Sequence, residues 1–71
     1  SRLFKQKSGQ NFIEYVNQMR IGRAKDELLA TNASIAEISR NCGFESTSYF
    51  TRVFKKHTGI TPGAFRKNRR Q

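Results

Sequence analysis

Between Ser34 and Gly59 the apolar residues fall into two helical stripes with a sharp break between them. Ile35, Ile38 and Cys42 recur at i, i+3 and i+7, the spacing of one buried helix face. Ser34 stands three residues before Glu37, the reciprocal spacing of an N-terminal capping box. Gly43 supplies the backbone freedom that a sudden stop requires. A second helix then runs from a cap at Ser46, or Glu45 beside it, to about Thr58. At roughly 100° per residue, Tyr49, Phe50, Val53 and Phe54 gather on one side, with His57 at its edge as a packing residue. Thr47, Ser48, Thr51, Arg52 and Lys55 gather on the other. The pattern predicts helix, tight turn, helix.

The longest helical pattern lies upstream, from Asn11 to Ala30. Asn11 and Glu14 have capping-box spacing, and Asn32 marks an end. Its apolar positions change sides along the way. Phe12, Tyr15, Val16 and Met19 share one face, whereas Ile21, Ala24, Leu28 and Leu29 point roughly the opposite way. A helix serving one core keeps one stripe. This one is expected to serve two, as a rod of roughly 28 Å. A single bundle helix with a ragged stripe is the plainer reading, and it leaves the switch unexplained.

A repeat gives the rod its context. Residues 1–15, SRLFKQKSGQNFIEY, align without gaps on residues 51–65, TRVFKKHTGITPGAF. Arg2 matches Arg52, Phe4 matches Phe54, Lys5 matches Lys55 and Gly9 matches Gly59, each 50 positions apart. Two copies of one unit are expected. Since the second unit starts at Ser34, Thr51 lies 17 residues into it (51 − 34), and Ser1 sits equally deep in the first. The chain therefore reads as a fragment beginning inside a helix of the first unit. After the second unit, Thr61 caps a last helix with Pro62 at its first position. Phe65 packs back from this helix, and Arg66, Lys67, Arg69 and Arg70 follow in a basic tail.

Charge then narrows the partner. Fourteen basic residues against five acidic ones give the 71-residue chain a formal charge of +9. Such an excess favours a polyanion, with nucleic acid ahead of an anionic membrane surface. No apolar run approaches the roughly 20 residues that span a bilayer, and Arg2, Lys5 and Lys7 break up any leader-like start. Cys42 is the only cysteine, so no internal disulfide forms; a reducing cytosol fits, and the thiol reads as a small buried hydrophobe. The outward side of the Thr47–Thr58 helix carries hydroxyls, one arginine and one lysine, with no acid. Short polar groups allow close approach, and arginine suits a guanine edge. A helix-turn-helix with this second helix reads most simply as a major-groove reader. An ordinary solvated face remains the alternative from pattern alone.

The stretch GFESTSYFTRVFKKHTGITPGAFRK resembles the signature of AraC/XylS-type bacterial transcription regulators, through Gly43-Phe44, Ser48-Tyr49-Phe50, Arg52, Phe54-Lys55, Gly59, Thr61-Pro62 and Phe65-Arg66. Phe65 stands where that family more often has tyrosine. The likeness also covers FIEYVNQMRIGRAKDELL. It implies an all-α, tandem helix-turn-helix DNA-binding domain with an incomplete first unit. Residues 1–10 would end that unit as a recognition-helix remnant, 11–32 form the linker helix, and 33–71 the second helix-turn-helix plus a C-terminal helix. By position, base contacts are expected at Ser1, Arg2, Thr47, Ser48 and Arg52. Phosphate contacts are expected at Lys5, Thr51, Lys55, Lys56 and Arg66. The resemblance implies double-stranded DNA as partner, a sensory or receiver domain and RNA polymerase as partners of the parent protein, a cytoplasmic setting and no cofactor.

Two other classes compete. A nonspecific cationic binder of nucleic acid or membrane would share the salt sensitivity but not a preference for one site. An enzyme is disfavoured, because the sequence offers no paired carboxylates on one face, no nucleophile–base set and no phosphate-cradling glycine loop. His57 lacks catalytic partners, and Phe4, Phe44, Phe50, Phe54 and Phe65 read as core rings, not stacking platforms.

Overall fold

The computed structural model describes residues 9–68, with side chains described from Phe12 onward. All of its described elements are helices: α1 (Gly9–Ala30), α2 (Ile35–Asn41), α3 (Thr47–Thr58) and α4 (Pro62–Asn68). Local chemistry sets most boundaries. Ser34 Oγ accepts the Glu37 N–H at 3.1 Å and starts α2. Ser46, not Glu45, does the same for α3 through the Tyr49 N–H, and Thr61 for α4 through the Ala64 N–H. Each satisfies a donor that a helix start leaves free.

The stop after α2 is a full Schellman turn. Phe44 N–H donates to Ser39 O and Gly43 N–H to Arg40 O, with Gly43 at φ 92°. This pairing satisfies the last carbonyls of α2 and delivers Phe44 straight into the core. Gly59 closes α3 in the same left-handed region, φ 90°. Nothing lies within 4 Å of where its Cβ would be, so backbone conformation alone requires glycine there.

α1 differs from expectation at both ends. It begins at Gly9, so Asn11 lies inside the helix and does not cap it. At the exit, Thr31 turns the chain instead of Asn32: its hydroxyl donates to Glu27 O at 2.8 Å and accepts the Ala33 N–H at 3.2 Å. The start also limits the repeat. Gly59 ends a helix, whereas the aligned Gly9 lies within one. Pro62 explains the contrast, since proline lacks an N–H and drives the preceding residue out of helix. Phe12, its counterpart, imposes no such break. The remaining matches, residues 1–8, lie outside the described residues, as do Arg69 and Arg70.

One core joins the four helices. Ile21, Ala24 and Leu28 of α1 meet Ile38, Cys42, Phe44, Phe50, Val53 and Phe54, with Ala33, Ile35 and Phe65 at the margin. Aromatic rings run through it in sequence: Phe44 to Phe50 at 5.1 Å, Phe50 to Phe54 at 5.7 Å, Phe54 to Phe65 at 5.5 Å. The last two pairs are edge-to-face, worth about 0.5–1.5 kcal/mol each beyond area burial. Phe65 thus ties α4 to α3. Leu29, expected beside Leu28, lies 100° further round the helix and is exposed. Phe12 and Met19 are 55% and 59% exposed, so the second apolar face of α1 lies off this core.

Candidate nucleic-acid interface

Burial of Phe50, Val53 and Phe54 fixes which way α3 faces. Thr47, Ser48, Arg52 and Lys55 are consequently exposed, and Thr51 is half-buried at the edge. Among the described residues none of those four exposed side chains makes a hydrogen bond or ion pair. The helix contains no acidic residue, and Lys55, Lys56 and His57 occupy its last turn, where cations meet the negative end of the helix dipole. The surface is therefore a strip of short hydroxyls flanked by unpaired cations.

Two expected site residues already have partners within the fold. Arg66 Nε donates to Leu28 O at 3.2 Å, and its Nη2 to Thr31 O at 3.0 Å. Its guanidinium closes the C-terminal end of α1, where carbonyls lack helical partners, so two of its donors are already engaged within the fold. Lys56 Nζ sits 3.5 Å from Glu14 Oε2 of α1, a surface ion pair between exposed side chains. Any phosphate must compete with that carboxylate. Ser1, Arg2 and Lys5 lie outside the described residues.

Tyr49 and His57 also depart from the helical-wheel assignment. Tyr49 packs its ring against Phe44 at 5.9 Å but keeps its hydroxyl end outside. An aromatic with a polar tip readily divides itself this way. His57 is exposed, beside a groove lined by Ile13, Glu14, Asn17 and Arg52. The apolar arc of α3 is thus narrower than its wheel suggests.

Sequence reasoning missed three residues of α1 that touch this region. Glu14 pairs with Lys56, Asn17 Nδ2 donates to the Tyr49 hydroxyl at 3.2 Å, and the Arg20 guanidinium carbon lies 5.6 Å from the Phe44 ring centre. A signal existed for Asn17: it continues the Ile21–Ala24–Leu28 stripe backwards by one turn, where a polar residue is out of place unless bonded. Glu14 and Arg20 offered none, since their partners are far away in sequence.

Other chemistry is sparse. Burial pushes the Cys42 thiol above its ordinary range, Glu27 adds to the effect and Arg23 opposes it. The neutral thiol is correspondingly unreactive. Among the described residues, no three His, Cys, Asp or Glu side chains converge as a metal site, and no helix is long and apolar enough to cross a membrane.

Comparison with known proteins places this geometry. A helix-turn-helix domain profile matches residues 1–68. The chain is 42% identical over 65 residues to the Escherichia coli HTH-type transcriptional regulator YpdC, covering 92% of this chain and 23% of that protein. It is 44% identical over 66 residues to the arabinose operon regulatory protein of the same species, covering 93% and 23%. In both cases the chain spans about a quarter of the relative's length. Among solved structures, it is similar to the C-terminal domain of the two-component response regulator yesN from Fusobacterium nucleatum, at 41% identity and a TM-score of 0.79, covering 93% of this chain and 64% of that one.

Proposed function

The chain belongs to the AraC/XylS-type helix-turn-helix domain family, and from that premise we propose that it binds duplex DNA for a longer transcription regulator, laying α3 in the major groove. The observation that carries the reading is the division of α3: a buried Phe50–Val53–Phe54 stripe opposite an exposed, acid-free Thr47–Ser48–Arg52–Lys55 strip. A helix anchored on one side and uncommitted on the other is built to enter something. A net charge of +9 specifies a polyanion.

Within this proposal Arg52, Thr47 and Ser48 meet base edges, while Thr51, Lys55 and Lys56 meet phosphates. In a first unit Ser1 and Arg2 meet base edges and Lys5 a phosphate, in a stretch that aligns with residues 51–55. α1 joins the two units. Its 22 residues span about 33 Å, close to the roughly 34 Å between successive major-groove faces of B-DNA. The parent regulator would add a sensory or receiver domain and engage RNA polymerase in the cytoplasm.

The test begins with selection of binding sites from randomised duplexes by the parent regulator. A preference of at least about a thousandfold over random DNA is expected; equal retention of every duplex would instead mark a nonspecific polycation. On the selected site, Arg52→Ala should cost about 1–3 kcal/mol and relax selectivity at one base. Lys55→Ala should weaken cognate and random DNA alike and lower the salt slope by about one. Identical behaviour of the two variants on all sequences would refute base reading by Arg52.

A further inference from the structure

We propose that Asn17 and Arg20 of α1 are positioning residues that hold the N-terminal end of α3 at its reading angle. The inference deepens the proposal above and rests on it. The two side chains lie three residues apart, hence on one face of α1, and they grip consecutive parts of the helix-turn-helix. Arg20 spreads over the Phe44 ring at 5.6 Å. It also lies against the turn itself: a Cβ on Gly43 would stand 3.2 Å from Arg20 Nε. The turn's glycine therefore serves two needs, its φ of 92° and the close passage of this guanidinium.

Asn17 acts one step further along. It is 8% exposed, and its amide donates to the hydroxyl of Tyr49. Tyr49 is also the residue whose backbone N–H is capped by Ser46. The first turn of α3 is thus held from two sides, by its own cap and by α1. The tilted packing of Tyr49 and Phe50 on Phe44 links the Arg20 contact to the same turn.

These contacts do what the apolar core does not. Burial of Ile21, Ala24 and Leu28 is non-directional and tolerates small rotations of α3. A hydrogen bond weakens steeply when misaligned, and a cation over a ring acts only within about 6 Å of its centre. α3 has 12 residues, so a tilt of about 10° displaces one end by about 3 Å relative to the other. Bidentate base recognition tolerates only about 0.5 Å. Loosening the lock should therefore blur base reading before it weakens phosphate attraction.

The experiment compares Arg20→Lys and Tyr49→Phe with the unaltered parent regulator, on the selected duplex and on a shuffled duplex of equal length. Arg20→Lys keeps the charge and loses the guanidinium over Phe44; Tyr49→Phe removes only the hydroxyl that Asn17 engages. Circular dichroism sets an assay temperature at which each protein is folded. Each variant is expected to lower the selected-over-shuffled affinity ratio about fivefold to a hundredfold, the scale of one spoiled base contact, with shuffled binding and salt slope unchanged. A structural role alone would lower the melting temperature and leave the ratio intact, overturning the proposal. Equal losses on both duplexes would also overturn it, by making Arg20 a phosphate contact, which carries no sequence information. If Arg20→Lys does not fold, Tyr49→Phe decides. An unaltered protein without any duplex preference would instead sink the reading beneath.

Discussion

Glu14 is the acidic residue that stands against the proposed interface, and neutralising it should strengthen DNA binding. In the free protein its carboxylate lies 3.5 Å from the Lys56 ammonium. At that distance two unit charges attract by about 1.2 kcal/mol in a water-like dielectric. Both side chains are more than half exposed, and pairs of that kind contribute about 0.2–1 kcal/mol to stability. Glu14→Gln should therefore leave the melting temperature nearly unchanged. A phosphate reaching Lys56 would no longer have to displace a carboxylate, nor approach one. Recovering about 0.4–1 kcal/mol corresponds to a gain of about twofold to fivefold in affinity. The gain should apply to cognate and shuffled duplexes alike, because phosphate contacts carry no sequence information. It should shrink as salt rises past about 0.15 M, where exposed charges are screened. Fluorescence anisotropy with labelled duplexes would measure it. Asp26→Asn is the control, since Asp26 is exposed on the same helix and changes the net charge equally. Unchanged or weaker binding by Glu14→Gln, or the same gain from Asp26→Asn, would remove Lys56 from the interface.

Stability and reactivity supply three further tests. Phe54 is fully buried with edge-to-face contacts to Phe50 and Phe65, so Phe54→Ala should cost about 3–5 kcal/mol; an unchanged thermal melt would refute the assigned facing of α3. Arg66→Met keeps the apolar stem and loses both carbonyl contacts to Leu28 and Thr31, a loss of about 1.5–3 kcal/mol. Its melting temperature should fall while the salt slope of DNA binding stays constant, and a reduced slope would return Arg66 to the phosphates. Cys42 is buried with its thiol pKa raised above the ordinary 9.0, so alkylation should proceed only as fast as the domain opens. Because the folded value is the higher one, the stabilisation from the neutral thiol is complete below the ordinary value and is lost as pH rises through the folded value. Fast native-state labelling would contradict the burial.

What was legible in the sequence is what neighbouring residues decide between themselves. Ser34, Ser46 and Thr61 cap helices because a side-chain oxygen needs only an N–H three residues on. Gly43 and Gly59 mark ends because left-handed backbone excludes other side chains at little distance from the helix itself. The buried triad of α3 followed from periodicity. The contacts that were not legible have the opposite character. Arg66 reaches the carbonyls at the end of α1, 35 to 38 residues away in sequence. Glu14 and Lys56 are 42 residues apart, and Asn17 and Tyr49 are 32; no spacing rule reaches that far. The Asn11 cap failed for a subtler reason. A capping residue only favours a helix start, and without a following proline nothing at Asn11 prevents the helix from continuing back to Gly9.

The position of the proposed lock within α1 gives it a wider consequence. Towards the C-terminus of that helix, Ile21, Ala24 and Leu28 are built into the core that carries α3. Towards its N-terminus, Phe12 and Met19 lie exposed on another face. Asn17 and Arg20 fall where one set gives way to the other. If a first unit rests on the outer face, as proposed, the angle between two reading helices passes through these residues, because α1 is the rigid member common to both. Apolar burial at each end would keep the units attached, while the polar contacts midway would define their relative rotation. Weakening the lock should then relax the permitted spacing between half-sites as well as base choice within the second. Arg20→Lys should therefore tolerate duplexes with one base pair inserted between the half-sites better, relative to the uninterrupted site, than the unaltered protein does. An unaltered spacing profile alongside a reduced base preference would confine the lock to α3, and would mean that the two units take their mutual orientation from elsewhere.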